Sequence, residues 1–127
     1  MRTFQDGYEV HAMRSNFKME DEYIKMVRGD TLSFGFEITD SEDIGIEIDS
    51  AFFTCKQNFT DDMNVFKKTL GNGITAADLG QYIVRVAPED TASAEAGKYF
   101  YDLQIGVGSD IYTILKGVLE LEQDTTN

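Results

Sequence analysis

The sequence predicts an all-β protein, an antiparallel immunoglobulin-like sandwich of seven or eight short strands. Three observations lead there. Tyr99, Tyr101, Leu103, Ile105 and Val107 fall at every second position, with Lys98, Phe100, Asp102 and Gln104 between them. That alternation marks a strand with one face in a core. Turn-forming residues recur roughly every ten positions, and no stretch carries a long 3.6-residue period. Finally, Asp90-Thr91-Ala92 followed by Ala96-Gly97-Lys98-Tyr99-Phe100-Tyr101 has the form of the corner that joins strands E and F of an immunoglobulin-type domain.

Taken in order, residues 1–21 fit neither period and read as an N-terminal arm that a partner or a second copy would order. A frayed end or a short edge strand is the plainer alternative. Residues 22–127 form the sandwich domain. Tyr23 to Val27 reads as a short strand, Arg28-Gly29-Asp30 as a turn, and Leu32, Phe34, Phe36 and Ile38 as the inward side of a half-buried strand. Asp40 to Asp49 is an acidic loop with a short extended piece. Ser50 to Lys56 is a strand with Phe53 and Cys55 on one side, and Asn58 to Asn64 is polar loop. Val65 to Leu70 is a strand ended by the turn signal Gly71-Asn72-Gly73. Thr75-Ala76-Ala77-Asp78 resembles a small helical-turn cap. Tyr82, Val84 and Val86 alternate within Gln81 to Val86, and Pro88 to Glu95 is a compact corner. The segment from Ala96 to Leu121 closes the chain as a hairpin around Gly106 to Asp110, with Gly117 marking a bulge or a close backbone approach.

At the corner, Tyr99 takes the place of the tyrosine whose hydroxyl turns back to the upstream backbone. Tyr101 stands two positions on, where a disulfide cysteine otherwise sits, and a large aromatic fills that space. The expected core therefore includes Phe34, Phe36, Tyr82, Val84, Tyr99, Tyr101, Leu103 and Ile105.

The net charge of −12 opposes binding to nucleic acid or anionic lipid, since both need basic residues to meet their phosphates. Lys67-Lys68 and Lys116 read as isolated basic positions. No apolar run approaches the length of a membrane span, and the N-terminus lacks the apolar core of a secretory signal. Synthesis in a cytoplasm and a soluble product are expected. One cysteine, Cys55, and one histidine, His11, cannot close a zinc site, and neither belongs to a nucleophile–base pattern. Asp40, Glu42 and Asp43, or Asp61 and Asp62, offer oxygen ligands for calcium, but without the spacing of an EF-hand loop; solvated loops are the simpler reading. Neither a catalytic residue nor a cofactor or metal site is expected. Arg28-Gly29-Asp30 spells an integrin-binding tripeptide, yet at the mouth of a strand it most simply makes a turn.

Three stretches together resemble a known family: Val27-Arg28-Gly29-Asp30-Thr31 leading into Leu32 to Phe36, Gly97-Lys98-Tyr99-Phe100-Tyr101-Asp102-Leu103-Gln104, and Thr113 to Leu121 with Asp124-Thr125-Thr126 beyond. The family is the N-terminal β-sandwich domain of upper baseplate proteins from phages of Gram-positive bacteria, and of related prophage tail proteins. The resemblance implies a non-enzymatic structural component of a tail or baseplate, located in the virion and docked to other tail or baseplate subunits. It also implies a homo-oligomer, trimeric or hexameric. Expected docking contacts are Phe4, Tyr8, Val10 and Phe17 from the arm, with Phe100 and Tyr112 as outward aromatics. The alternative is a carbohydrate-binding module for a host-surface glycan, in which exposed rings stack on sugars beside carboxylates.

Overall fold

The computed structural model describes residues 2–5, 7–15, 19–20, 22–58, 60 and 63–124, with the backbone alone for 2–5, 12–15 and 19–20. In chain order the elements are β1 (Arg2–Gln5), β2 (Tyr8–Ser15), β3 (Met19–Glu20), β4 (Tyr23–Val27), β5 (Leu32–Asp40), β6 (Ser50–Lys56), β7 (Phe66–Leu70), β8 (Gly73–Ala76), β9 (Gln81–Val86), α1 (Pro88–Thr91), β10 (Gly97–Val107) and β11 (Asp110–Glu122). The protein is all-β. Its strands join in a single sheet of order β1-β2-β5-β9-β8-β7-β6-β10-β11-β4-β3.

The sheet curls until its halves face each other. Phe34 on β5 and Phe53 on β6 are separated by three intervening strands, yet their rings meet edge to face with centroids 5.2 Å apart. Phe53 also touches Phe66 and Tyr101, at 5.7 and 5.6 Å between centroids. Around it pack Leu32, Phe36, Val84, Leu103, Ile105 and Leu119, all at or below 2% exposure. Each such side chain contributes about 1.5–3 kcal/mol when taken from water. The curl is thus driven by one apolar face closing on itself.

Two features depart from an antiparallel arrangement of seven or eight strands. Among the described residues eleven strands take part, and the β4–β11 and β7–β8 ladders are parallel. Side-chain alternation reports which face is buried; it is silent on which edge a strand joins and in which direction. At Gly71-Asn72-Gly73 the chain makes a tight jog, held by Asn72 N–H to Thr69 O at 2.8 Å and Gly71 N–H to Ile74 O at 2.8 Å. The strand that follows therefore runs alongside β7. Thr75 and Ala76, expected in a helical-turn cap, belong to that strand and pair with β9. Ala77 to Gln81 instead turns the chain from β8 into β9, with Ala77 N–H on Gln81 O and Gln81 N–H on Asp78 O, both at 2.8 Å.

The first residues, expected as an arm, contribute β1 and β2 to one end of the sheet, and β2 is hydrogen-bonded along β5. His11 Nε2 lies 2.9 Å from Thr39 Oγ1 across that ladder. Hairpin β10–β11 turns at Gly108-Ser109 and shifts register between Leu103 and Gln104, so the bulge lies opposite that step and not at Gly117. Gly117 is instead a crossing point: a Cβ there would lie 2.1 Å from Glu22 O. Only glycine lets β4 lie this close.

Candidate functional site

Two constructions stand out, a junction that joins the motif residues and an outer sheet face. At the junction, Tyr99 donates its hydroxyl to Glu95 O at 2.7 Å, closing the corner before β10. Arg28 reaches across to the same corner, donating to Ala94 O at 3.2 Å and to Asp124 Oδ1 at 2.8 Å. Gly29 N–H donates to the buried Thr91 Oγ1 at 2.9 Å, and Asp30 N–H closes the turn on Val27 O at 3.1 Å. Tyr101, 1% exposed, donates to Glu22 O at 2.6 Å beside Gly117. The Arg28 hydrogen bond holds the Asp124 carboxyl below its ordinary range. Arg28-Gly29-Asp30 is accordingly part of a packed joint. Of the closing Asp124-Thr125-Thr126, the threonines lie outside the described residues.

The outer face is laid out by register. Lys116, Asp102, Thr54 and Lys67 lie on one rung across β11, β10, β6 and β7. On one side of it lie Val118, Phe100 and Lys56, on the other Thr113, Gln104, Phe52 and Thr69. Directly opposed residues share a face, about 4.5–5.5 Å apart at Cβ. Asp102 is half-buried in this setting, and loss of solvent raises its carboxyl above the ordinary value, against the pull of Lys56, Lys116 and Lys67. The Lys67 ammonium sits 4.9 Å above the Phe52 ring centroid, a cation–π contact. Thr54, Lys56, Phe100 and Asp102 line a shallow depression. Lys67 and Lys116, read as isolated in sequence, therefore converge with Lys56 around one carboxylate. Lys68 turns to the other side and pairs with Asp90 of α1 at 2.6 Å, as alternation along a strand requires. Nothing in the spacing of 56, 67 and 116 signals this convergence; strand pairing creates it.

The expected core residues Phe34, Phe36, Tyr82, Val84, Tyr99, Tyr101, Leu103 and Ile105 are all buried. The expected docking residues are scattered. Phe100 is half-buried on the outer face described above. Tyr112, taken as outward, stands opposite the fully buried Ile105 and packs on the core edge, its ring 6.3 Å from that of Tyr8. Val10 is 8% exposed and belongs to the core, so it is not a surface contact. Phe17 and the Phe4 side chain lie outside the described residues.

Cys55 is fully buried, and burial pushes its thiol up to about 12, which leaves it un-ionised at neutral pH. Asp40 Oδ1 accepts from the backbone N–H groups of Glu42 and Ile44, at 2.8 and 3.1 Å, and so shapes its own loop. Among the described residues no group of three or more His, Cys, Asp or Glu side chains is placed to hold a metal ion. Asp61 and Asp62 lie outside them. No described helix is long and apolar enough to cross a membrane.

No family model matches the chain, and no curated protein matches it. Among solved structures it is similar to a β-glucosidase from Listeria innocua in complexes with isofagomine, gluconolactone and glucose. The identities are 12, 13 and 12%, and the TM-scores 0.38, 0.39 and 0.36. Each likeness covers 91% of this chain and 16% of the glucosidase, so the chain spans only a small part of that enzyme's length.

Proposed function

We propose that the protein is a non-enzymatic assembly module of a phage or prophage tail or baseplate, an immunoglobulin-like sandwich that docks to neighbouring subunits. The observation that carries this reading is the junction: Arg28 of the first stretch pairs with Asp124 beyond the third and holds the corner carbonyl of Ala94, while Tyr99 and Tyr101 of the second hold Glu95 O and Glu22 O. Residues so engaged hold the domain together, and docking falls to the sheet faces outside. The finer fold reading is supported by the tyrosine corner and by the contact between β5 and β6 from opposite halves of the sheet.

Size-exclusion chromatography with light scattering over a range of concentrations tests the reading. An oligomer that grows with concentration, a trimer or hexamer, is expected, together with immunogold labelling of tail particles by an antibody to the chain. The alternative, a glycan-binding module, draws on Phe100 beside Thr54 and Asp102. A strict monomer retained on a glycan array would replace the first reading with that one.

A further inference from the structure

We propose that the protein self-associates head to tail, with the lysine-bearing outer face of β7, β6, β10 and β11 of one copy receiving the acidic end of the next. This rests on the assembly reading above and names the partner as a second copy of the chain.

The argument begins with charge. The chain carries a net charge of −12, yet Lys56, Lys67 and Lys116 gather around Asp102, flanked by the half-buried Phe52 and Phe100. The opposite character is concentrated at one end of the molecule, where three connections are tied together. Asp49 N–H donates to Gly106 O at 2.8 Å, and its Oδ2 accepts from Gly108 N–H at 2.6 Å. Gly45 lies so tightly on the turn before β9 that a Cβ would come 2.4 Å from Leu79 O. This end presents Glu42, Asp43, Glu47, Asp49, Asp78 and Asp110, all exposed, and no lysine or arginine lies in residues 40–49, 77–80 or 108–110. It also exposes Ile44 at 51% and Leu79 at 63%. Each surface thus combines apolar side chains with charge: three lysines around the single carboxylate of Asp102 on the outer face, carboxylates alone at the end.

Symmetry follows from the same charges. A two-fold contact through the outer face would set lysines against lysines, and one through the acidic end would set carboxylates against carboxylates. Like charges in contact oppose association, whereas face against end attracts. Where one copy's end sits on the next copy's face and its own face is left for a third, copies continue around a closed ring or along a fibre.

Sedimentation equilibrium of the full chain tests this. Raising salt from about 0.05 to 0.5 M shortens the screening length severalfold, and the association constant is expected to fall by about tenfold or more. The charge reversals Lys56→Glu/Lys67→Glu/Lys116→Glu and Glu42→Lys/Asp43→Lys/Asp78→Lys should each be monomeric where the wild type associates. Mixed in equal amounts they should associate again, because a reversed face then meets a reversed end. Circular dichroism and the thermal midpoint establish that the variants fold; if one does not, the single reversals Lys67→Glu and Glu42→Lys replace it in the same mixing test. A mixture that stays monomeric overturns the proposal. So does association indifferent to both reversals, which leaves an assembly role through another surface standing. A wild type that is monomeric at low salt, with the lysine face binding a soluble polyanion such as heparin, overturns it as well.

Discussion

Tyr101 serves two purposes with one side chain. Its ring packs on Phe53 in the core, and its hydroxyl satisfies Glu22 O at the point where β4 crosses Gly117. Removing the ring leaves a cavity and an unpaired carbonyl. Tyr101→Ala should therefore cost about 3–5 kcal/mol, and Tyr101→Phe, which keeps the ring, about 1–2 kcal/mol. Urea denaturation separates the two; a Tyr101→Ala loss under about 1 kcal/mol would refute the core role. Asp124 behaves differently because it lies near the surface. Its folded-state pKa is depressed by Arg28, so the pair stabilises the fold above the unfolded carboxylate value and that stability is lost as pH falls through the folded value. Asp124→Asn should lower the urea midpoint slightly at pH 7, since exposed pairs are worth little, and should match the wild type once the carboxylate is protonated. Equal offsets at both pH values would show that the pair contributes nothing through charge.

At the scale of elements, β4 depends on one missing side chain. A Cβ at position 117 would fall 2.1 Å from Glu22 O, inside any allowed contact. Gly117→Ala should push β4 away from β11 at a cost of about 1–3 kcal/mol. Faster hydrogen exchange is expected at the backbone amides that pair β4 with β11, while those of the β5–β9 ladder remain protected. Uniform loss across both ladders would mean that the crossing is not a local joint. Hairpin β10–β11 was readable in sequence because its alternation runs long and its turn is short. β8 was not, since four residues beside a double-glycine turn carry too little periodicity to separate a strand from a cap.

For the whole molecule, the N-terminal strands cover the edge of β5. Deleting residues 1–15 would uncover that edge and expose the side of the core that Val10 occupies. A loss of at least about 1.5–3 kcal/mol follows from Val10 alone, with aggregation through the exposed strand edge. A shortened chain with an unchanged thermal midpoint and no aggregation would contradict this. The deletion should therefore be read for stability before it is read for assembly.

The alternation of Leu32 to Ile38, Tyr82 to Val86 and Tyr99 to Ile105 determined by itself which side chains are inside, because a strand places successive residues on opposite faces whatever lies next to it. The tyrosine corner was equally local, its donor and acceptor only four residues apart. Tertiary structure alone decided the parallel ladders, the burial of Val10, the inward place of Tyr112 and the meeting of Lys56, Lys67 and Lys116 around Asp102. Each of these depends on which strand becomes whose neighbour. That choice is made by the closing of one apolar sheet on itself, an energy summed over the whole chain that no single stretch of residues carries.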